Sequence, residues 1–334
     1  EHAGYGLPWN GLIAYNEAAG APASNFNDST TNPPRAIVTG NNVAFFSGLN
    51  STFNGTDYLV IKSTNVARSA TSQKWTHLRT GNVKTTWTPD CENVNKESDC
   101  TTNNTVRVIV ISPGSTDANS HSLVVNGGAF FTQYGSTSGF APSDDTDTRI
   151  IYGVDPDTDL RMPFNRADYF IRRFDASDNS ITPRRCNPNT GVLEKATVNQ
   201  GNGALNFTPL LDCVADMQVV YRLDMNEDGT IGTTSNADGS SVTSTEGATA
   251  ATVQGTLADA SLLRSRLKEI RVYILAHEGQ YDRDFTFNNF TCGANCITVG
   301  EFGMGRDFDL TTITDNLNYR WKVYTMVVKP NNLE

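Results

Sequence analysis

The run from Cys213 to Thr230 constrains this chain more than any other stretch. Cys213-Val214-Ala215-Asp216-Met217-Gln218-Val219-Val220-Tyr221-Arg222-Leu223 leads straight into Asp224-Met225-Asn226-Glu227-Asp228-Gly229-Thr230. Val214, Val219 and Val220 stand at alternating or doubled apolar positions, as a half-buried strand requires. The turn then sets oxygen-bearing side chains at every second position, Asp224, Asn226 and Asp228. Gly229 follows, free to take a positive φ. A calcium loop draws side-chain oxygens from its first, third and fifth positions and a backbone carbonyl from its seventh, here Thr230. Its twelfth position, where an EF-hand carries a bidentate Glu, is Ser235, so this is not an EF-hand. Two readings stand. One is a calcium loop completed by a carboxylate from elsewhere, for which the acidic stretch 155–159 is a source. The other is an Asp-Gly hairpin turn held by Asx hydrogen bonds.

The rest of the chain repeats the strand-and-turn rhythm. Runs of strand length, rich in β-branched and aromatic residues and bounded by Gly, Asn, Asp or Pro, fall at 35–38, 43–46, 58–63, 106–112, 122–125 and 148–154. Others fall at 167–174, 192–198, 217–223, 270–276 and 319–328. One stretch reads as a helix, 257–269: Leu262, Leu263, Leu267 and Ile270 follow helical spacing. Asp259 and Ser261 suit its start, and basic residues fill its last turn. Residues 235–256, rich in Ser, Thr, Ala and Gly, hold almost no large apolar side chain and read as an exposed loop. No internal repeat emerges, which argues against a solenoid or propeller. The expectation is a single globular region over 1–334, α+β in class and predominantly antiparallel β, with at least one short helix.

With 334 residues the chain can bury a sizeable core. Its net charge of −10 offers no basic stripe to neutralise phosphates, so nucleic acid is not expected as a partner. No stretch reaches the ~20 apolar residues of a membrane span. The six cysteines lie as three sequence-local pairs, Cys91 with Cys100, Cys186 with Cys213, and Cys292 with Cys296. An even count in a loop-rich chain points to disulfides and an oxidising compartment. Proximity in sequence selects this pairing. Zinc knuckle spacing is missing, and His2, His77, His121 and His277 are dispersed.

Signals for catalysis are weak. There is no Gly-x-Ser-x-Gly elbow, and the cysteines are accounted for as pairs. The acidic runs 144–147, 155–159 and 307–309 read as solvated turns rather than as a glycosidase carboxylate pair. An enzyme is not expected.

Several stretches resemble the PilW-type minor pilins (pseudopilins) of bacterial type IV pilus systems. They are Ala3-Gly4-Tyr5-Gly6-Leu7-Pro8, Gly55-Thr56-Asp57-Tyr58-Leu59-Val60-Ile61 and Ala167-Asp168-Tyr169-Phe170-Ile171. Cys186-Asn187-Pro188-Asn189-Thr190-Gly191-Val192-Leu193 and Tyr319-Arg320-Trp321-Lys322-Val323-Tyr324 add to them, and 209–219 is the most specific. The family begins with a hydrophobic helix behind a Gly-Phe-Thr-Leu-x-Glu cleavage motif, and neither is found in these residues. The resemblance implies a pilin-like head with enlarged loops and a non-catalytic role in pilus assembly or initiation, at the filament tip. It implies other minor pilins and tip proteins as partners, and membrane contact only through that N-terminal helix. The implied location is the periplasmic face of the inner membrane and the extracellular pilus of a Gram-negative bacterium. A tip adhesin and a type II secretion pseudopilin are the alternatives. Calcium is the one candidate cofactor.

Overall fold

The computed structural model describes residues 3–8, 13–28, 33–43, 55–67, 69–84, 87, 105–113, 122–173, 180–301, 303–331 and 333. The chain opens a large sheet with β1 (Ile37–Val43) and β2 (Thr56–Ser63). It leaves to build a six-stranded antiparallel sheet from β3 (Trp75–Arg79), β4 (Val83–Lys84), β5 (Arg107–Ser112), β6 (Ser122–Leu123), β7 (Thr132–Gln133) and β8 (Arg149–Asp155). It then returns with β9 (Asn165–Arg172), which pairs directly with β2, Ile61 opposite Ala167. The six-stranded sheet is thus an insertion between two neighbours of the large one.

Strands β10 (Gly191–Val198), β11 (Leu205–Leu223), β12 (Thr233–Asn236) and β13 (Val242–Ser244) extend the large sheet. Helices α1 (Ala250–Ala258) and α2 (Ala260–Arg266) follow, then β14 (Leu267–Glu278), which pairs with β11. The hairpin β15 (Cys296–Glu301) and β16 (Met304–Asp309) is a second excursion, and β17 (Arg320–Val328) comes back to pair with β14. Among the described residues, nine strands make up the large sheet.

Alternation along β11 explains why the sheet is covered on both faces. Val219, Tyr221 and Leu223 pack with Val253 and Leu263 of the two helices. Val220 points the other way, into a cluster with Leu275, Ile297, Val299 and Phe308 that the β15–β16 hairpin closes. Side chains two apart share a face, so one strand feeds two cores. Separate clusters around Val108, Val110 and Ile151, and around Ile109 and Ile111, fill the two faces of the six-stranded sheet.

The α+β expectation fails. Strands take 42% of the described residues and helical turns 14%, and those residues hold only two short α-helices and no long helix of the pilin kind. The stretch 257–269 shows why. Its start is helical, with Asp259 as the N-cap accepting from the Ser261 and Leu262 N–H groups at 2.8 and 2.9 Å. Helix α2 nevertheless stops at Arg266, and Leu267 and Ile270 belong to β14. Their spacing suits a helix, but Ile270, Val272 and Ile274 alternate as a strand does, and pairing with both β11 and β17 decides the outcome.

Residues 235–256 are more ordered than the exposed loop expected of them. They include the end of β12, all of β13 and most of α1. Thr249 and Thr252 form a reciprocal capping box that starts α1. Val253 and Thr256 are fully buried on its inner side, as are Ser235 and Ala237 earlier in the stretch, while Ala251, Thr252 and Gly255 face solvent. No helix among the described residues is long and apolar enough to cross a membrane.

Candidate functional site: a disulfide-tied sheet and an acidic loop

Cys186 and Cys213 are disulfide-bonded, with Cα atoms 4.8 Å apart, and Cys292 is bonded to Cys296 at the start of β15. Cys91 and Cys100 lie outside the described residues. Cys213 adopts a left-handed backbone with φ of 59°, an unusual state for a residue with a Cβ. It sits where β11 changes partners: upstream residues pair with β10 alone, while Val214 opposes both Gly191 and Ala276. The disulfide therefore ties the loop before β10 to the bend in the longest strand.

His277, on β14, completes this corner. Its Nε2 accepts the Asn187 N–H at 2.9 Å, and Asn187 Nδ2 donates to the Thr314 carbonyl at 2.7 Å. The ring packs against Tyr319 and Trp321, with centroids 4.4 and 5.2 Å away. Burial pushes the imidazole pKa down to about 4, so it is neutral at physiological pH and acts as an acceptor that orients the 186–190 loop. Cys186, Cys213 and His277 lie close enough to ligate one ion. The two sulfurs are spent in the disulfide, however, and a metal needs thiolates. The same holds for Cys292 and Cys296 beside Asp307.

The Asp224 loop is built from backbone outward. Asp224, 1% exposed, accepts the Asp228 N–H on Oδ1 at 3.1 Å and the Gly229 N–H on Oδ2 at 2.8 Å. Asp228 Oδ1 accepts the Thr230 N–H at 2.8 Å, and its Oδ2 accepts from Asn226 Nδ2 at 3.0 Å. The Thr230 N–H holds the Asp228 carboxyl below the ordinary carboxylate range. Glu227 takes φ of 60° and Gly229 φ of 88° to close the bend.

The structure brings a third carboxylate here that sequence reading missed. Glu246, from the segment between β13 and α1, lies with Asp224 and Asp228 so that one oxygen of each falls within 4.8 Å of the others. Its Oε2 accepts from the Met225 N–H at 3.1 Å and from Thr233 Oγ1 at 2.7 Å. The 155–159 stretch is not part of this group: Asp155 Oδ1 caps its own turn through the Asp157 and Thr158 N–H groups, and Asp159 pairs with Arg107. Asp224, Asn226, Asp228, Glu246 and the Thr230 carbonyl are the oxygens that could hold a calcium ion, and their chemistry suits one. The Asx hydrogen bonds account for most of the same geometry.

Compared with protein-family models, with curated proteins and with solved structures, the chain matches none of them.

Proposed function

We propose that this chain belongs to a PilW-type minor pilin, a non-catalytic subunit that takes part in assembling or initiating a type IV pilus through protein–protein contact at the filament tip. One observation carries the reading. The stretches that resemble the family are scattered from residue 3 to residue 324, yet they collect on a single sheet. Residues 55–61 lead into and form β2, 167–171 lie in β9, 191–193 open β10, 209–219 lie in β11 and 320–324 in β17. The 3–8 segment docks on the same sheet, where the Gly4 N–H donates to the Lys62 carbonyl and the Thr64 N–H to the Tyr5 carbonyl, both at 3.0 Å. Leu7 is fully buried there. A resemblance due to composition alone gives no reason for its pieces to be neighbours.

The test is genetic. Deleting the gene in the source bacterium should strip surface pili, and a plasmid copy should restore them. Normal piliation with lost adhesion would favour the tip adhesin instead. Normal piliation with blocked secretion of folded enzymes would favour the secretion pseudopilin.

A further inference from the structure

The large sheet carries an open cavity at the ends of β9, β10 and β11. Register places Arg172 opposite Val192, Glu194 opposite Pro209 and Ala196 opposite Phe207, so these side chains share a face. A space of about 630 Å³ opens there, with Pro183, Val192, Pro209, Leu210 and Leu211 as its apolar wall and the Arg185–Asp212 ion pair also lining it. Leu210 and Phe207 are 44% and 38% exposed at its rim.

Glu194 is the anomaly in this setting, because the other lining carboxylate, Asp212, is paired with Arg185. It is only 3% exposed, yet its Oε2 has no hydrogen-bond partner among the described residues. Arg172 approaches its Oε1 no closer than 3.6 Å, too long for a hydrogen bond. That guanidinium is instead laid over the Phe207 ring, 3.8 Å from its centroid. Burial raises the carboxyl pKa, with Arg172 opposing. A buried carboxylate with no donor is costly, and a core without a ligand is more stable with an apolar residue or an amide at that place.

We propose that this cavity receives a lysine or arginine side chain from an extended segment of a partner polypeptide. The aliphatic stem would lie along the Pro209, Leu210 and Leu211 wall, as long basic side chains do on apolar surface. The cationic head would supply the hydrogens that Glu194 Oε2 lacks. A chain of net charge −10 draws basic partners at long range, which favours this occupant over an acidic one. The proposal is independent of the pilin reading, because an assembly subunit needs no such pocket and a pocket of this kind could serve another role.

The probe is the blocked pentapeptide Ac-Ala-Val-Lys-Val-Ala-NH2, with an analogue carrying norleucine in place of lysine, titrated into the folded chain by NMR. The lysine peptide should shift the amides of β9, β10 and β11, and the norleucine analogue should bind about tenfold more weakly or less. Glu194→Gln should lose about tenfold in affinity for the lysine peptide while its Tm is not lowered, since it removes a poorly paired buried charge. Leu210→Lys, at the exposed rim, should compete for the carboxylate and weaken binding without touching the core, and it decides the matter should E194Q fold poorly. Equal binding of both peptides, unchanged affinity in the variants, or no binding of the lysine peptide and its arginine counterpart would each overturn the proposal.

Discussion

The Arg166 guanidinium grips the Asp168 carboxylate through two hydrogen bonds, Nε to Oδ1 at 2.7 Å and Nη2 to Oδ2 at 2.8 Å, with neither side chain exposed. The pair anchors a larger buried array. Arg166 Nη1 also donates to Glu17 Oε2 at 2.8 Å, and Lys62 Nζ donates to Glu17 Oε1 and Asp28 Oδ2 at 2.7 and 2.6 Å. Arg35 Nε closes on Asp28 Oδ1 at 2.6 Å, and the Tyr58 hydroxyl donates to Asp168. Three cations thus meet three carboxylates, and the segment around 17–28 is pinned to β2 and β9.

That array should respond sharply to loss of one member. Glu17→Gln or Asp168→Asn leaves a buried cation short of its counter-charge and should cost about 3–5 kcal/mol. Urea unfolding of each variant measures this. A loss well under about 1 kcal/mol would show that water enters the array and screens it.

Removing the two observed disulfides should not have equal effects. Cys186–Cys213 closes a separation of 27 residues and Cys292–Cys296 one of 4. The first restrains far more of the unfolded chain, and its double Ser variant should lose about 2–5 kcal/mol. Non-reducing peptide mapping should also join Cys91 to Cys100. A link from Cys91 to Cys186, or free thiols, would contradict the local pairing.

The Asp224 loop gives a test between turn and metal. Asp224→Ala strips two backbone N–H groups of their acceptor and should cost about 1–3 kcal/mol, equally with calcium or with chelator. Glu246 Oε1 is buried with no hydrogen bond among the described residues, an atom the turn does not account for, so calcium is the comparison to run. A Tm that rises in millimolar calcium, and stops rising in Asp228→Asn and Glu246→Gln, would make the cluster a metal centre through binding linkage.

Stability should depend on pH through His277. Its folded pKa of about 4 lies below the ordinary 6.5, so across that window the unfolded chain binds the extra proton. The neutral ring's contribution is complete above pH 6.5 and is lost as pH falls toward 4. Buried Asp57 and Asp216, pushed up to about 8 and about 6 chiefly by burial, act with the opposite sign: their folded forms hold protons that the unfolded chain gives up. Comparing wild type with His277→Gln isolates the imidazole. The variant should lose stability less steeply on acidification, and parallel curves would remove His277 from the account.

Strand placement was legible in the sequence because a period of two is a local property. The runs at 58–63, 106–112, 148–154, 192–198 and 270–276 each lie in or overlap a strand, and the Asp259 cap stands where its side-chain chemistry put it. The Cys186–Cys213 and Cys292–Cys296 pairs were legible for the same reason, being close along the chain. What the chain alone did not decide was non-local. Nothing near Ile61 says that its partner is Ala167, beyond an inserted sheet. Leu267 and Ile270 fit a helix and a strand equally until β11 and β17 claim them. Glu246 sits in a stretch whose composition reads as loop, and only the β12–β13 pairing carries it to Asp224. Glu194 reads as an ordinary polar residue in a strand; its isolation comes from Arg172 lying on Phe207 instead of on it. Local chemistry set where strands and caps form, whereas pairing across the sheet set which charges ended up buried, and with what.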